Sequence, residues 1–252
     1  MIDDTTADQW AQELHAAWQS NTPKPTGSSA GLLIADAYRV QHRFIALRND
    51  NIVGFKAGLT NASVQQRQGA NQPAGGVLFA ATGAKPGVVF SLRDFVQPRI
   101  ETEIGFVIGT DIKQPVRPAE LQGCLSHWFP MIEMVDIGFS APHVLTDLIA
   151  SNVIASRFIR SGFVNDLNSA NQATVSLYKN GERLHEGKGT DALGDQFTAA
   201  AWIVNYALEQ GYSVNAGHVL MTGALGMTHP PEVANYRADY GVFGAVEFSF
   251  EA

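Results

Sequence analysis

Arg99-Ile100-Glu101-Thr102-Glu103-Ile104-Gly105-Phe106-Val107-Ile108-Gly109 is the stretch whose reading decides how the chain is built. It has strong β character, and a strand sends successive side chains to opposite faces. Glu101 and Glu103 therefore share one face, while Ile100, Ile104, Phe106 and Ile108 line the other. Two neighbouring carboxylates repel, so something has to offset them. A divalent cation would do so, and an all-oxygen donor set suits Mg²⁺ or Mn²⁺. The competing reading is a solvent-facing strand side with two ordinary glutamates, because Glu-x-Glu is a common spacing.

Composition sharpens the choice. The chain has 252 residues, 24 acidic and 17 basic, with a formal charge of −7; hydrophobic residues make up 45% and charged ones 16%. A soluble domain ordinarily carries about 25% charged residues, so a carboxylate inside an apolar run needs a reason to be there. Met131-Ile132-Glu133-Met134-Val135-Asp136 places Glu133 in such a run, where an unpaired charge is costly. Three carboxylates that leave positions open for water and substrate describe a Mg²⁺ site suited to Lewis-acid chemistry. Asp136 reads as a helix cap or a surface residue. Lys56, in Val53-Gly54-Phe55-Lys56-Ala57-Gly58-Leu59-Thr60, is again apolar and glycine-flanked. It reads as a desolvated acid, base or anion anchor, or equally as a lysine snorkelling from a strand end.

The same figures exclude several classes. Abundant apolar residues and sparse charge argue against disorder, and the acidic balance supplies no basic surface for nucleic acid. One cysteine, Cys124, leaves no intramolecular disulfide and no Cys-based zinc site; it reads as part of a buried helix face. The acidic start Met1-Ile2-Asp3-Asp4 is unlike a secretory signal, and no run reaches 18 apolar residues, so no membrane span is expected. A soluble cytoplasmic protein is the simplest reading. Among seven histidines there is no His-x-x-x-His or His-Glu-x-x-His. His15 and His42 read as surface residues and His218 as structural, whereas His127, His143, His185 and His229 could each reach a site. Gly-x-Ser-x-Gly, Walker A and Gly-x-Gly-x-x-Gly motifs are absent.

The expected organisation is α+β, with residues 1–50 as an N-terminal helical region and 51–252 as a β-rich catalytic domain. Trp10, Leu14 and Trp18 mark a first helix capped among Asp4, Thr5 and Thr6. Ser20 to Gly31 is dense in breakers and reads as a loop. Leu33, Ala37, Val40, Phe44 and Leu47 share one face of a second helix. Short β runs follow at Val77–Phe79, Val88–Phe90, Ile100–Ile108, Met131–Val135, Ala173–Tyr178, His218–Met221 and Phe243–Phe250, and Asn180-Gly181 signals a type I′ hairpin. Leu193, Phe197, Ala201, Val204 and Leu208 form a helix stripe ending at Gly211. Trp10, Trp18, Trp128 and Trp202 all fit helix faces.

Five segments then occur in one order: Phe55-Lys-Ala-Gly-Leu-Thr60, Gln72-Pro-Ala-Gly-Gly-Val-Leu-Phe79, Ile100-Glu-Thr-Glu-Ile-Gly-Phe106, Ile132-Glu-Met-Val-Asp136 and Leu220-Met-Thr-Gly-Ala224. The series resembles the 2-keto-4-pentenoate hydratase and 2-oxo-3-enedioate decarboxylase group of the fumarylacetoacetate hydrolase superfamily, collinear from about Leu32 onward. The resemblance implies a mixed, barrel-like β core and a divalent metal held by Glu101, Glu103 and Glu133. It implies Lys56 as the active-site lysine, and Thr222, Gly223 and Ala224 as the segment that helps hold the substrate's carboxylate. It also implies a homo-oligomer working in aromatic catabolism on a small 2-oxo acid. The expected activity is a Mg²⁺-dependent hydratase acting on a short 2-hydroxydienoate. A 2-oxo-3-enedioate decarboxylase, an acylpyruvate hydrolase and a non-catalytic relative are the alternatives. The last is motivated by Ala80-Ala81-Thr82, where the family has Ala-Asp-Met and an aspartate thought to aid proton transfer. Ile137-Gly138 in place of Ser-Arg and Ala150-Ser151-Asn152 in place of Ala-Asp-Asn are further departures.

Overall fold

A computed structural model describes residues 2–27 and 32–252. Two helices come first, α1 (Asp4–Ser20) and α2 (Ile34–Arg48). Then follow β1 (Ile52–Gly58), α3 (Ala62–Gln68), β2 (Ala74–Phe79), β3 (Gly83–Ala84), β4 (Val89–Ser91) and β5 (Pro98–Ile108). The middle of the chain forms α4 (Pro118–Leu121), β6 (Leu125–Asp136), α5 (Leu145–Ala150) and β7 (Ala155–Arg160). The remainder is β8 (Thr174–Lys179), β9 (Glu182–Lys188), α6 (Gln196–Glu209), β10 (Val219–Met221), β11 (Ala234–Asp239) and β12 (Ala245–Glu251).

The strands form a seven-stranded sheet, β2-β1-β10-β5-β6-β7-β3, and a five-stranded one, β4-β12-β11-β8-β9. Both are mixed: β1–β10, β3–β7 and β4–β12 run parallel and the other pairs antiparallel. The seven-stranded sheet has to curl. β2 and β3 are its two edges, yet only the 3₁₀ turn Ala80–Thr82 separates them. A flat sheet would put those edges about 29 Å apart at ~4.8 Å per strand, whereas the four steps from Phe79 to Gly83 span at most about 14 Å. The sheet is therefore rolled into the expected barrel-like core.

Alternation along these strands makes two apolar compartments. The outer face of the barrel (Phe55, Val77, Ile100, Ile104, Phe106, Ile132, Leu220) shares one cluster with α6 and the inner face of the five-stranded sheet. Inside the barrel, Leu78, Phe129, Met131, Phe158, Val219 and Met221 form a second. α2 is keyed to this frame by a buried polar side chain. The Gln41 amide donates to the Gly75 and Ile149 carbonyls at 2.9 and 2.7 Å and accepts from the Tyr206 hydroxyl at 2.9 Å, so burying it leaves no donor or acceptor stranded.

Several local expectations are corrected. α1 is capped by Asp3, whose carboxylate accepts from the Thr6 amide at 2.7 Å, not by a residue among Asp4–Thr6. Trp18 is exposed and is covered on one face by the Arg48 guanidinium. Leu33 and Leu47 also face outward, because α2 is rotated to bury Gln41, Ile45 and Arg48. Trp128 lies on β6 and not on a helix, and Trp202 is half-buried. Leu193 precedes α6, at φ 52°, and Asp195 is the cap. Cys124 is half-buried in a 3₁₀ turn, and β12 starts at Ala245 because residues 241–243 form a 3₁₀ turn. Asn180 and Gly181 do join β8 to β9 with positive φ, as a type I′ turn requires. Of the predicted loop Ser20–Gly31, residues 28–31 lie outside the described residues.

Candidate metal centre

β5 and β6 set Glu101 directly opposite Glu133 across the ladder, with Glu103 two residues along on the same face. Alternation sends all three into the barrel, beyond the apolar layer of Met131 and Met221. One carboxylate oxygen from each lies within 4.8 Å of the others. β1, on the far side of β10, brings Lys56 to the same place, and its ammonium meets both oxygens of Glu133 at 2.6 Å. Lys56, Glu103 and Glu133 are buried and Glu101 is partly open.

The electrostatics of this cluster are unresolved within the protein. Burial and then repulsion from Glu133 push the Glu101 carboxyl up to about 7, against the pull of Lys56. The same two causes raise Glu103 well above the usual carboxylate range, although Lys56 and the Gly223 amide act the other way. Glu133 is also raised by burial, with Lys56 opposing. Burial would lower the Lys56 ammonium, but the combined fields of Glu133, Glu103 and Glu101 outweigh it and keep the lysine charged. Ionised together, the three carboxylates would outnumber the one ammonium by two charges, which a divalent cation would neutralise. Glu103 Oε1 is buried without a hydrogen-bond partner, while Oε2 accepts from the Gly223 amide at 2.7 Å. An oxygen-only donor set with an orphaned buried oxygen fits a hard divalent cation.

Neighbouring backbone is shaped around Lys56. Asn152, Val153 and Ile154 are consecutively left-handed (φ 57°, 44° and 56°), a strained state for a β-branched residue. The Asn152 side chain holds this turn against β2, accepting from the Val77 amide at 2.8 Å and donating to its carbonyl at 3.0 Å. The Val153 carbonyl then faces Lys56 Nζ at 3.4 Å. Two glycines make the approach feasible: a Cβ on Gly58 would lie 2.5 Å from Val153 Cγ1, and one on Gly76 2.8 Å from Asn152 Oδ1. Gly76→Ala is expected to destabilise the fold by about 1–3 kcal/mol, the range for forced overpacking, as a lower urea midpoint at unchanged m-value. An unchanged midpoint would show that the turn yields freely.

A pocket of about 570 Å³ opens over Lys56 and Glu101. Ala224 lines it, but Thr222 does not: the Thr222 hydroxyl is buried 2.8 Å from the Ile104 carbonyl and 2.7 Å from Gln196 Oε1. Gly223 sits at φ 113°, where a Cβ would fall on Thr60. Among the histidines only His143 lines this pocket. His185 and His229 hydrogen-bond to each other at 2.9 Å, with His185 also 3.2 Å from Thr102 Oγ1. His127 packs on Phe163, and His15 and His42 are half-buried against Trp18 and Tyr212. Asp136 is neither cap nor surface residue; its buried carboxylate accepts from the Val96, Gln97 and Gly138 amides. Ala81 is exposed on the 3₁₀ turn after β2. Lys56 pairs with Gly76, and the strand alone carries the chain about 10 Å further, from Gly76 to Phe79. An aspartate at 81 would not reach this pocket, so its absence gives no ground for a non-catalytic reading. The left-handed turn at 152–154, the Gly58 and Gly76 contacts and the pocket-lining Arg67 were not visible as site features in the sequence; the glycines beside Lys56 were the one available signal.

No family model matches the chain. A 2-keto-4-pentenoate hydratase from Paraburkholderia phymatum is 31% identical over 218 residues, covering 84% of this chain and 83% of its own length. A 4-oxalocrotonate decarboxylase from Pseudomonas sp. strain CF600 is 29% identical over 210 residues, covering 81% and 80%. The solved 4-oxalocrotonate decarboxylase from Pseudomonas putida G7, complexed with magnesium and adipate, superposes with a TM-score of 0.94 at 24% identity over 100% of this chain and 99% of that one.

Proposed function

Because the chain belongs to the 2-keto-4-pentenoate hydratase and 4-oxalocrotonate decarboxylase family of the fumarylacetoacetate hydrolase superfamily, we propose that it is a Mg²⁺-dependent lyase that hydrates a short 2-hydroxydienoate such as 2-hydroxypenta-2,4-dienoate. The observation that carries this reading is the meeting of Glu101, Glu103 and Glu133 with a charged, buried Lys56 at one pocket. The three glutamates are the proposed ligands, and Mg²⁺ bound there would supply Lewis-acid polarisation of a 2-oxo acid.

The remaining chemistry falls to the chain. Hydration needs a proton delivered to C5 of the dienol and one lost from its 2-hydroxyl, which gives the conjugated ketone. Water then adds its oxygen at C4 and a proton at C3. Lys56 is the proposed group that stabilises negative charge on the 2-oxygen and moves a proton there. With the Thr222 hydroxyl and the Gly223 amide both engaged elsewhere, holding the substrate carboxylate would fall, within this segment, to Ala224, which lines the pocket. Val64, Val135, Leu148 and Ile154 wall the pocket with apolar surface and keep bulk water from the reacting carbons. No helix among the described residues is long and apolar enough to cross a membrane. The proposal includes a cytoplasmic homo-oligomer, for which exposed Phe163, Val233 and Val242 offer apolar contact points.

With Mg²⁺ the purified protein is expected to convert 2-hydroxypenta-2,4-dienoate to 4-hydroxy-2-oxopentanoate, and a chelator to stop it. CO₂ release from 2-oxo-3-hexenedioate without hydration of the pentadienoate would make it the decarboxylase instead. Inertness toward both, with Mg²⁺ or Mn²⁺ present, would sink the assignment.

A further inference from the structure

The segment that follows β10 stands on β5 by two feet. The Leu225 amide donates to the Thr102 carbonyl at 2.8 Å, and His229 exchanges backbone hydrogen bonds with Ile100 at 3.2 and 2.8 Å. Three residues, Gly226, Met227 and Thr228, therefore face the single residue Glu101 and have to bow away from the strand as an arch. All three are exposed, and they line the pocket together with Ala224. Beneath the arch lies His185 of β9, which is buried; a Cβ on Gly226 would fall 2.6 Å from its Cδ2. The donors present fix where the protons sit. The Thr102 hydroxyl has one proton and donates it to the Leu225 carbonyl at 2.8 Å. In its 3.2 Å contact with His185 Nε2 the hydroxyl oxygen can then only accept, so His185 carries its proton on Nε2. His185 Nδ1 is left as an acceptor, and the proton in its 2.9 Å contact with His229 Nε2 belongs to His229. One directed chain results, from His229 to His185 to Thr102 to the Leu225 carbonyl, and it joins one foot of the arch to the other. A second proton on His185 would confront the one on His229. Burial, and then His229, accordingly push the His185 imidazole down to about 4, against the pull of the Leu225 carbonyl and Asp191.

Resting on the proposed function, in which Ala224 holds the substrate carboxylate, we propose that His185 and His229 are positioning residues for substrate binding. They cross-brace the arch, so that Ala224 and the span beyond it keep one shape before the substrate arrives. Neither histidine lines the pocket, so both act through the arch. Without the brace the exposed span keeps its backbone feet and the 3.1 Å bond from the Gly226 amide to Asp191, and ordering it would draw on the substrate's binding energy. The loss then falls on KM and not on kcat, because Lys56, Glu101, Glu103 and Glu133 stand on β1, β5 and β6, which the seven-stranded sheet holds independently.

The test is steady-state kinetics at saturating Mg²⁺ on 2-hydroxypenta-2,4-dienoate, or on 2-oxo-3-hexenedioate if that is the acid consumed. His229→Leu is expected to raise KM about tenfold, the scale of one lost hydrogen bond, with kcat within about threefold of wild type. His229→Gln, whose amide can still donate to His185 Nδ1, should recover most of the loss. Nitrogen NMR of the wild-type histidines should find His185 as the Nε2–H tautomer at neutral pH, a readout that does not depend on any variant folding. An unchanged KM in His229→Leu, a loss confined to kcat, or a His185 protonated on Nδ1 overturns the brace while leaving the lyase reading standing. A His229→Gln protein as impaired as His229→Leu would assign the effect to packing and overturn it as well. If the wild type consumes neither acid, the lyase reading itself fails and the positioning role falls with it.

Discussion

Glu103→Gln is expected to lower metal-dependent turnover by about 10³-fold or more and, at the same time, to raise the melting temperature of the metal-free protein. The two effects share one cause. Glu103 is buried, its Oε1 has no partner, and its carboxyl is raised well above the usual range by burial and by Glu133. That arrangement is unfavourable until a cation neutralises it. Glutamine keeps the shape and leaves an oxygen for the Gly223 amide, but removes a charge on which the proposed metal binding would depend. Lewis-acid assistance contributes several kcal/mol, and each 1.36 kcal/mol is about tenfold in rate. In a domain of this size each kcal/mol of relieved strain raises the melting temperature by about 2–4 °C. The pH dependence has a defined sign. Glu101 is shifted from an ordinary value of 4.5 to about 7, so its favourable contribution is complete below about pH 4.5 and lost as pH rises through about 7. Mg²⁺ should therefore stabilise the wild type more at pH 8 than at pH 5.5. Scanning calorimetry with and without Mg²⁺ reads both effects, and a Glu103→Gln protein with full turnover would remove the glutamate from the site.

Lys56→Met is expected to act in the opposite direction on stability while also abolishing activity. The metal-free variant should lose about 3–5 kcal/mol, the usual range when one member of a buried ion pair is removed, because the buried Glu133 keeps no counter-charge. Saturating Mg²⁺ should restore much of that loss but not turnover, which should stay about 10²–10⁴-fold below wild type if the lysine moves the proton. Urea titrations of the metal-free and Mg²⁺-loaded variant, beside steady-state rates, separate the two roles. Recovery of turnover on adding metal alone would reduce Lys56 to a counter-ion.

What the sequence made legible follows from period and contrast. Glu101 and Glu103 could be placed on one face because strand alternation is strict, and Glu133 stood out against its apolar neighbours. Lys56 was equally a snorkelling lysine until β10, lying between β1 and β5, brought the two strands into one sheet. Closure of the barrel was not readable from local pattern, since it depends on both sheet edges lying either side of Ala80–Thr82. Three left-handed residues at Asn152-Val153-Ile154 run against the preference of two β-branched side chains, so no local signal announces them. α2 was misjudged for a related reason: Gln41 and Arg48 are polar yet buried, held by Gly75, Ile149 and aromatic rings that lie elsewhere in the chain.

The parallel register of β1 with β10, Gly54 opposite Val219 and Lys56 opposite Met221, also governs when the molecule can come together. A ribosome adds about 5–20 residues per second, so β1 waits on the order of ten seconds before its neighbour exists. Until then the edge of β1 that β10 will cover stays open to water, and pairings this distant in sequence form slowly. Lys56 and the three glutamates thus remain hydrated through most of synthesis, and their enclosure belongs among the last events of folding. A nascent chain stalled before Val219 should bind no metal at this site, however much of the barrel it already contains.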